Sequence, residues 1–294
     1  MDLSAFAEEV SSHGPVTIAG LSTRGGAVPG VRVVHAPAGI ELVQAEEMTV
    51  ACGAGTPVRE LVDALAAHGQ TVAMPPTGTV GGALAVGQST IKRLGRGPIR
   101  DTLLQTRYVS AAGRVVKAGG PTVKNVSGFD VCRLLVGSRG TLGFLGDVIL
   151  RTWPLSAVSR WHAGLADPFE LLQRLYRPAS ILWDGTTTWV CLEGDAPDVD
   201  AQAALCGLPE VDGPPELPTA ARWSVRPSAL RDVAAAALGA QAPFVAEVGV
   251  GIVHHSLPAP VRAMDPAVAE LHRRIKHEFD PDGRLNPGIT GGPD

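Results

Sequence analysis

Short apolar runs separated by Gly and Pro dominate the first half of the chain. Their content of Val, Ile, Leu and Thr is typical of β-strands. The predicted strands are VTIAG (16–20), VRVVH (31–35), IELVQ (40–44) and MTVACGAG (48–55). Apolar residues then recur at the helical spacing of Val58, Leu61 and Leu65. Thr56 is in place to cap this helix, and Gly69 to end it.

The stretch up to residue 155 alternates strands and a helix in the same way. TLLQTRYVS and RVVKAGG predict a hairpin, FDVCRLLVGSRG predicts a short helix, and TLGFLGDVILRTWPL predicts a strand. Pro154 stops this last strand, and we expect the strand to lead the chain out of its domain.

The second half differs in composition, since four of the five tryptophans fall between residues 158 and 250. SILWDGTTTWVCLE predicts a hairpin, because Asp184-Gly185 suits the positive φ angles of a tight type I′ turn. Other patterns predict helices at DPFELLQRLY, PDVDAQAALCG and SALRDVAAAALG, and strands at ARWSVRP and FVAEVGVGIVHH. This order predicts a smaller second domain, with an antiparallel sheet covered by helices on one face.

The C-terminal stretch combines a helix with a rigid turn. DPAVAELHRRIKHEF predicts the helix, and DPDGRLNPGI follows it. Pro281 and Pro287 prevent the helix from continuing. Asn286 is therefore expected in a fixed turn between the two prolines.

Charge and composition exclude several classes of protein. The formal net charge of -4 gives no electrostatic reason to expect nucleic acid or an anionic membrane surface as a partner. The N-terminal stretch lacks the basic flank and apolar run of a signal peptide. The most apolar late stretch is interrupted by Pro243 and Glu247, so a spanning helix is not expected. We therefore predict a cytoplasmic protein without direct membrane insertion.

The cysteines are Cys52, Cys132, Cys191 and Cys206, and no two of them have C-x-x-C spacing. We therefore expect neither an iron–sulfur cluster nor another metal site built within this chain. Any electrons that pass through the protein must be carried by an organic cofactor or by a partner subunit.

Three glycine-rich segments contain the candidate binding residues. We call AGLSTRGG (19–26), TGTVGGALAVG (77–87) and GSRGTLGFLGD (137–147) the first, second and third glycine-rich segments. Consecutive glycines let backbone N–H groups approach a phosphorylated or planar ligand that a Cβ would block. The first segment adds Ser22, Thr23 and Arg24, which suit a pyrophosphate.

The second segment runs into a short predicted helix, whose N-terminal amides are expected to face the same anion. Each segment by itself is more often only a turn, and none of them is a Walker or G-x-G-x-x-G motif. Their joint order along the chain is the more specific signal.

This order resembles that of the FAD-binding oxidoreductases of the vanillyl-alcohol oxidase (PCMH-type) superfamily. The resemblance covers TGTVGGALAVG, GPIRDTLLQTRYVSAAGRVVKAGG, VKNVSGFDVCRLLVGSRGTLGFLGDVILRTWPL and LHRRIKHEFDPDGRLNPG. Within the superfamily, the chain is most similar to the FAD-binding second subunits of bacterial glycolate oxidases. GFDVCRLLVGSRGTLG and FDPDGRLNPG are the most specific parts of the match.

The resemblance implies an α+β fold in three sections. Residues 1–155 would form a two-subdomain PCMH-type FAD-binding domain. Residues 156–260 would form a small antiparallel-sheet-plus-helices substrate (cap) domain. Residues 261–294 would return to the FAD domain as a C-terminal helix and an NPG segment.

The resemblance also implies which residues bind FAD. The pyrophosphate would lie against Gly20, Ser22, Thr23, Arg24, Pro76, Thr79, Val80, Gly81 and Gly82. The flavin and its ribityl chain would be lined by Gly87, Ser89, Arg100 and Asp101, and the adenine side by the backbone of Gly140, Gly143 and Val148. Asn286 would approach the isoalloxazine ring.

The chain departs from the family pattern in three places. Covalent members attach flavin through a histidine in the first glycine-rich segment; this chain has none, so we predict non-covalent FAD. That segment also lacks a run of three glycines, which alters the affinity expected for the pyrophosphate. Where many relatives have ANASG, this chain has AVGQSTIKRLGRG, in which Lys92, Arg93 and Arg96 either face the phosphates or form a solvated loop.

The implied chemistry is hydride transfer from the α-carbon of a 2-hydroxy acid to flavin N5. It requires a base for the hydroxyl proton and a cation for the carboxylate. His254 and His255 alternate on a predicted strand, so one should face inward and the other outward. One of them is the candidate base, although histidines on strands are more often only packed or exposed. Arg222 and Arg226 are the candidate carboxylate ligands.

Relatives of this kind work beside a second flavin subunit and an iron–sulfur subunit, so the resemblance implies a hetero-oligomer. Such a complex would act on a small 2-hydroxy acid, and its partners could place it at the inner membrane. One alternative is a non-catalytic FAD-binding or flavin-less accessory subunit for assembly or electron relay. Another is a stand-alone FAD-dependent dehydrogenase of the same fold with a different small substrate.

Overall fold

The structure is a computed structural model that describes residues 1–121, 130–260 and 264–289. Its helices are α1 (Ser4–Ser11), α2 (Val58–Ala66), α3 (Val80–Val86), α4 (Arg93–Arg96), α5 (Val131–Leu135), α6 (Pro168–Arg174), α7 (Ala196–Cys206), α8 (Leu230–Gly239) and α9 (Pro266–Phe279). Its strands are β1 (Val16–Ala19), β2 (Arg32–His35), β3 (Ile40–Gln44), β4 (Thr49–Gly53), β5 (Gln70–Thr71), β6 (Leu103–Val109), β7 (Val115–Gly119), β8 (Phe144–Arg151), β9 (Trp153–Pro154), β10 (Val158–Gly164), β11 (Ser180–Trp183), β12 (Thr188–Gly194), β13 (Glu210–Val211), β14 (Ala221–Ser224), β15 (Phe244–Glu247) and β16 (Ile252–His255).

The described residues form two compact units. Unit 1 contains residues 1–90, 98–121, 130–155 and 264–289, and unit 2 contains residues 91–97 and 156–260. We call residues 91–97 the crossing segment, because the chain leaves unit 1 there and returns to it at residue 98. Within these ranges, the helices are all too short or too polar to cross a membrane.

Unit 1 is built on a five-stranded antiparallel sheet with the strand order β3-β4-β8-β6-β7. The strand expected to lead out of the domain is β8, which lies at the centre of this sheet, and the chain passes from unit 1 to unit 2 shortly after it, between residues 155 and 156. Phe144, Val148 and Leu150 are each at most 2% exposed. The apolar run therefore covers a strand that is buried on both faces, which is where such continuous runs occur.

Helix α2 packs Leu61 and Leu65, both 0% exposed, into the main core of unit 1. The prediction that Thr56 caps this helix is wrong, since no side chain caps its first turn. The Thr56 hydroxyl instead donates to the carbonyl of Gly53 at 2.7 Å. Thr56 therefore stabilises the turn between β4 and α2.

A second core in unit 1 surrounds the parallel pair β1–β2. Phe6 and Val10 from α1, which the sequence patterns did not predict, pack there with Val16, Val34 and Leu285. Arg284 joins the C-terminal stretch to this core by donating to the carbonyls of Gly14, Val10 and Ala111 at 3.0, 2.9 and 2.5 Å. These contacts position the neighbouring Asn286.

Unit 2 is a seven-stranded sheet with the order β13-β10-β12-β11-β15-β16-β14, in which all the pairs are antiparallel. On one face, α8 packs Leu230 and Ala234 against Phe244 and Val253. On the other face, Trp161, Leu182, Cys191 and Val245 form a separate cluster, which Ile91 of the crossing segment joins. The predicted α+β class with antiparallel sheets is confirmed.

Two local predictions in unit 2 need correction. The stretch FVAEVGVGIVHH is not one strand but the hairpin β15–β16, because Gly249 and Gly251 have φ values of 80° and 82°. The β11–β12 hairpin exists, but it is not closed by a type I′ turn, since only Gly185 of the Asp184-Gly185 pair has a positive φ. The Asp184 carboxylate accepts the N–H groups of Thr186 and Thr187 instead.

The crossing segment is bound to the sheet of unit 2 by the carboxylate of Glu193, whose side chain is 9% exposed. Glu193 of β12 accepts from Lys92 Nζ at 2.6 Å and from Arg96 Nη2 at 2.7 Å. A Cβ on Gly95 would lie 2.8 Å from Ala179 Cα, so only glycine permits this approach. Lys92 and Arg96 therefore do not belong to a solvated loop, and a role for them toward the phosphates stays a prediction.

Glu193→Gln should lower the free energy of unfolding by about 2 kcal/mol at neutral pH. Burial would raise the pKa of Glu193, but the hydrogen bonds from Lys92 and Arg96 outweigh it and hold this pKa below its ordinary value of 4.5. A carboxylate with a depressed pKa stabilises the fold above its unfolded pKa and loses that effect as the pH falls through the folded value. The difference between variant and wild type should therefore shrink below pH 4.5 in urea unfolding measured over a pH series.

Glu216→Gln is the matched control, since Glu216 is an exposed carboxylate of the same unit. It should change the free energy of unfolding by less than about 0.5 kcal/mol. A Glu193→Gln loss that stays constant down to pH 3.5 would contradict the ion-pair explanation.

Candidate FAD site

The first and second glycine-rich segments are in direct contact. Arg24 donates from Nη1 to the Thr77 carbonyl at 2.8 Å and from Nη2 to the Thr77 hydroxyl at 3.2 Å. A Cβ on Gly20 would lie 2.9 Å from Thr79 Oγ1, and one on Gly78 would lie 2.3 Å from Thr23 Oγ1. The structure thus brings together predicted site residues that are more than fifty positions apart.

The N-terminal amides of α3 do not face an anion, contrary to the sequence prediction. Val80 N–H donates to Thr56 O at 2.9 Å and Gly81 N–H to Ala54 O at 2.7 Å. Gly82 N–H donates to Thr79 Oγ1 at 3.1 Å. These N–H groups hold α3 against the rest of unit 1, which explains part of the glycine content of the second segment. The assignment of Val80, Gly81 and Gly82 to FAD stays a prediction.

The first glycine-rich segment has the open backbone that a pyrophosphate requires. Gly20, Ser22 and Thr23 are exposed, and a Cβ on Gly25 would meet no atom within 4 Å. Arg24 is half-buried, and burial lowers the pKa of its guanidinium, which nevertheless stays charged at neutral pH. Hydroxyl groups, a guanidinium and accessible glycine backbone match the donors that phosphates bind. This segment therefore fits the diphosphate of FAD.

Asn286 joins the third glycine-rich segment to β1. Its Nδ2 donates to Arg139 O at 2.6 Å, and its Oδ1 accepts from Thr17 Oγ1 at 2.8 Å and from Ile18 N–H at 3.2 Å. Gly140 permits this contact, since a Cβ there would lie 2.7 Å from Asn286 Nδ2. The side chain thus holds β1 directly before the first segment, and its approach to the flavin ring stays a prediction.

Thr17 was not among the predicted site residues. It is a buried hydroxyl, 1% exposed, within the apolar strand VTIAG that precedes the first glycine-rich segment. Its Oγ1 also accepts from Val28 N–H at 3.1 Å, so one hydroxyl connects both ends of that segment to Asn286. A polar residue inside an otherwise apolar strand was the available signal.

Two further predicted glycines have packing roles. Gly87 ends α3 with a φ of 74°, and a Cβ there would lie 3.1 Å from Gly137 Cα. The second and third segments therefore touch at this point. A Cβ on Gly143 would lie 2.5 Å from Tyr108 Cδ2.

The remaining predicted FAD residues have varied surroundings. Ser89 is buried, and its hydroxyl accepts a backbone N–H. Val148 is a core residue of β8, whereas Pro76 is exposed. The side chains of Arg100 and Asp101 are 54% and 45% exposed. The role of these five residues in binding FAD stays a prediction.

Both candidate histidines are buried, so the expectation that one faces outward is wrong. They lie on opposite faces of the unit 2 sheet, but both faces are covered, and the residues are 9% and 1% exposed. The His255 ring stacks on Trp223 at 4.0 Å, and its Nδ1 accepts from Leu257 N–H. Burial lowers the pKa of His255. These contacts describe a packed, neutral histidine.

His254 has a different environment, since its Nε2 lies 2.9 Å from Glu247 Oε1. In the sheet register, Arg222 lies directly opposite His254. Arg226 is exposed and lies beyond the end of β14. Glu247 was not predicted as a site residue, although a carboxylate inside an apolar strand was a usable signal.

All four cysteines are buried and free. Burial raises the pKa of Cys52 to about 12 and the pKa values of Cys132 and Cys191 to about 11. They are therefore thiols at neutral pH. The described ranges contain no cluster of three or more His, Cys, Asp or Glu side chains that could hold a metal ion.

Two known protein families match two separate parts of the chain. Residues 19–119, which include the first and second glycine-rich segments, match the family described as FAD binding domain. Residues 221–289, which include His254 and Asn286, match the family described as FAD linked oxidases, C-terminal domain. The chain belongs to the FAD-linked oxidases. The predicted family resemblance and the FAD cofactor are thereby confirmed.

Two curated relatives of this FAD-linked oxidase are named for the small acids glycolate and D-lactate. The chain is 30% identical to glycolate oxidase subunit GlcE of Escherichia coli over 70% of its own length and 63% of that protein. It is 37% identical to a D-lactate dehydrogenase of Archaeoglobus fulgidus over 57% of its own length and 39% of that protein. The matched region thus spans less than two thirds of either relative.

Solved structures show the same fold. An alkyldihydroxyacetonephosphate synthase matches with a TM-score of 0.66 and 16% identity, over 92% of this chain and 71% of that one. Phl p 4, a grass pollen allergen with glucose dehydrogenase activity, matches with a TM-score of 0.52 and 14% identity, over 71% of this chain and 49% of that one. At these identities, the likeness concerns the fold alone.

Proposed function

We propose that this chain is the FAD-binding subunit of a 2-hydroxy-acid oxidase or dehydrogenase of the glycolate type. The observation that carries the proposal is its similarity to a glycolate oxidase subunit over 70% of the chain. Glycolate and D-lactate, the substrates named for two of its relatives, share a hydroxyl group on the carbon next to a carboxylate. A small 2-hydroxy acid is therefore the substrate class that we propose.

In this proposal, the first glycine-rich segment holds the diphosphate of FAD. Gly20 allows close approach of the backbone, Ser22 and Thr23 donate hydroxyl hydrogens, and Arg24 supplies positive charge. The segment contains no histidine, so we propose that FAD is bound non-covalently. Bound FAD supplies the oxidant that accepts two electrons and the α-hydrogen of the substrate.

The substrate itself needs a cation and a base from the protein. We propose Arg222 for the carboxylate and His254 for the hydroxyl proton, since the two residues are opposite each other in β14 and β16. His255 and Arg226 are weaker candidates. The ring of His255 is occupied by Trp223 and Leu257, and Arg226 lies outside the strand.

Glycolate or D-lactate should reduce the bound flavin of the purified, FAD-loaded chain under anaerobic conditions. The visible spectrum of oxidised flavin should disappear, because the α-hydrogen and two electrons leave the substrate. Acetate, which lacks the hydroxyl group, is the matched control and should leave the spectrum unchanged. Acid precipitation should release all of the flavin into the supernatant if it is bound non-covalently.

A flavin that binds but stays oxidised with both acids would contradict catalysis by this chain. It would favour the second candidate function, a non-catalytic FAD-binding subunit for assembly or electron relay. The name of the E. coli relative, a subunit, supports that candidate. A chain that takes up no FAD would contradict both functions.

We also propose that the chain works in a hetero-oligomer. Two of its relatives are named as glycolate oxidase subunits GlcE and GlcD. A second flavin subunit and an iron–sulfur subunit are the proposed partners, in a cytoplasmic complex or one held at the inner membrane by those partners. Affinity purification of the tagged chain from its own host should recover both partners in a fixed ratio.

A further inference from the structure

One face of the unit 2 sheet contains a buried carboxylate beside an imidazole. The side chains of Glu247 and His254 are 3% and 11% exposed, and Glu247 Oε1 lies 2.9 Å from His254 Nε2. The second carboxylate oxygen, Oε2, is buried and has no hydrogen-bond partner within the described ranges. Burying a carboxyl group is unfavourable unless it is hydrogen-bonded, so the contact with His254 is the one that holds Glu247 in the interior.

The strand register places the pair next to Arg222. His254 lies opposite Val245 of β15 and opposite Arg222 of β14. Glu247 follows Val245 by two positions, so both point to the same face of the sheet. The charged groups that face His254 from the adjacent strands are therefore Glu247 and Arg222, the proposed ligand of the substrate carboxylate.

The hydrogen bond to Glu247 decides which ring nitrogen of His254 can act as a base. A carboxylate accepts from Nε2–H, which leaves Nδ1 without a hydrogen in the neutral ring. When Nδ1 takes up a proton, the adjacent carboxylate stabilises the resulting imidazolium. His255 has no such arrangement, because its Nδ1 already accepts the Leu257 N–H.

We propose that Glu247 is a positioning residue that fixes the tautomer of His254, which accepts the hydroxyl proton of the 2-hydroxy acid at Nδ1. This inference rests on the function proposed above. In the step, the substrate O–H bond breaks and an N–H bond forms at Nδ1. The electron pair of the O–H bond stays on oxygen and forms the carbonyl of the 2-oxo acid, as the α-hydrogen leaves with its own electron pair to FAD, the oxidant.

The first test measures flavin reduction in single turnovers of the FAD-loaded full chain. Glu247→Leu removes the acceptor and should slow reduction by about 100-fold at saturating substrate, with less than about a threefold change in the substrate concentration for half-maximal rate. Glu247→Gln keeps the shape of the side chain and should cause an intermediate loss of the reduction rate. This variant takes the place of Glu247→Leu in the test if the Leu variant does not fold. The matched control is Glu193→Gln, which removes the carboxylate of a β12 side chain that is 9% exposed, and it should keep the wild-type rate.

The second test needs no catalysis. Nitrogen NMR shifts of labelled histidine rings in the loaded chain, with His254 identified from His254→Asn, should show the proton on Nε2. In Glu247→Leu, the two tautomers should become mixed. A purely structural role for Glu247 would not produce both the tautomer change and the selective loss of rate.

The outcomes separate this inference from the proposed function. Wild-type reduction that Glu247→Leu leaves unchanged would overturn the role of Glu247 while the function stands. A proton on Nδ1 of His254 in the wild type would also overturn it. If no 2-hydroxy acid reduces the wild-type flavin, the proposed function fails, and the catalytic role of His254 fails with it.

Discussion

Gly82→Trp should weaken FAD binding by at least about 100-fold, which corresponds to about 2.7 kcal/mol. A Cβ at this position would lie 3.0 Å from Thr79 Oγ1, the same atom that lies 2.9 Å from the Cβ position of Gly20. An indole at residue 82 would therefore enter the contact between the first and second glycine-rich segments. Flavin content after loading, and titration of apoprotein with FAD, measure the loss.

Gly239→Trp is the matched control, because a Cβ at the end of α8 meets no atom within 4 Å. It should bind FAD as the wild type does. Both variants should keep the circular dichroism of the wild type, since α3 and the unit 2 sheet remain intact. Retained flavin in a folded Gly82→Trp variant would show that these segments are not the FAD site.

Asn286→Ala should lower the free energy of unfolding by about 3 kcal/mol. The change removes the hydrogen bonds to Arg139 O, Thr17 Oγ1 and Ile18 N–H, and leaves those groups inside unit 1 without this partner. Asn286 also has a φ of 44°, a conformation that costs alanine about 1 kcal/mol. Urea unfolding gives the free energy, and FAD content shows whether the first glycine-rich segment is disturbed as well.

Asn286→Gly separates the two contributions, since glycine tolerates the positive φ but makes none of the side-chain contacts. Its loss should be smaller than that of the alanine variant by about 1 kcal/mol. Losses below about 1 kcal/mol in both variants would mean that Asn286 does not hold the C-terminal stretch to β1.

Most elements of this fold follow from local patterns. The predicted helices at α2, α6, α7, α8 and α9 are present, because each combines apolar spacing with Pro or Asp at its start or Gly after its end. The contact between the first and second glycine-rich segments was expected only from the family resemblance. Neither segment contains a local signal for a partner more than fifty residues away.

The errors arose where tertiary contacts override local signals. The central position of β8 was not predicted, because β4 and β6, the strands that pair with it, are both distant in sequence. The paired amides of α3 could not be predicted either, since their acceptors, Ala54 and Thr56, lie before α2. Glu247 and Thr17 were missed although each is a single polar residue in an apolar strand, since their partners, His254 and Asn286, lie outside those strands.

Because of the crossing segment, unit 2 is encoded by two separate stretches of the gene. A fragment of residues 156–260 would carry Glu193 without Lys92 and Arg96, and would lack Ile91 and its apolar contacts. Recombination that exchanges only residues 156–260 between relatives would combine the residue at position 193 from one parent with Lys92 and Arg96 from the other. Shuffling of unit 2 should therefore succeed only when both stretches come from the same parent, and chimeras can be designed on that rule.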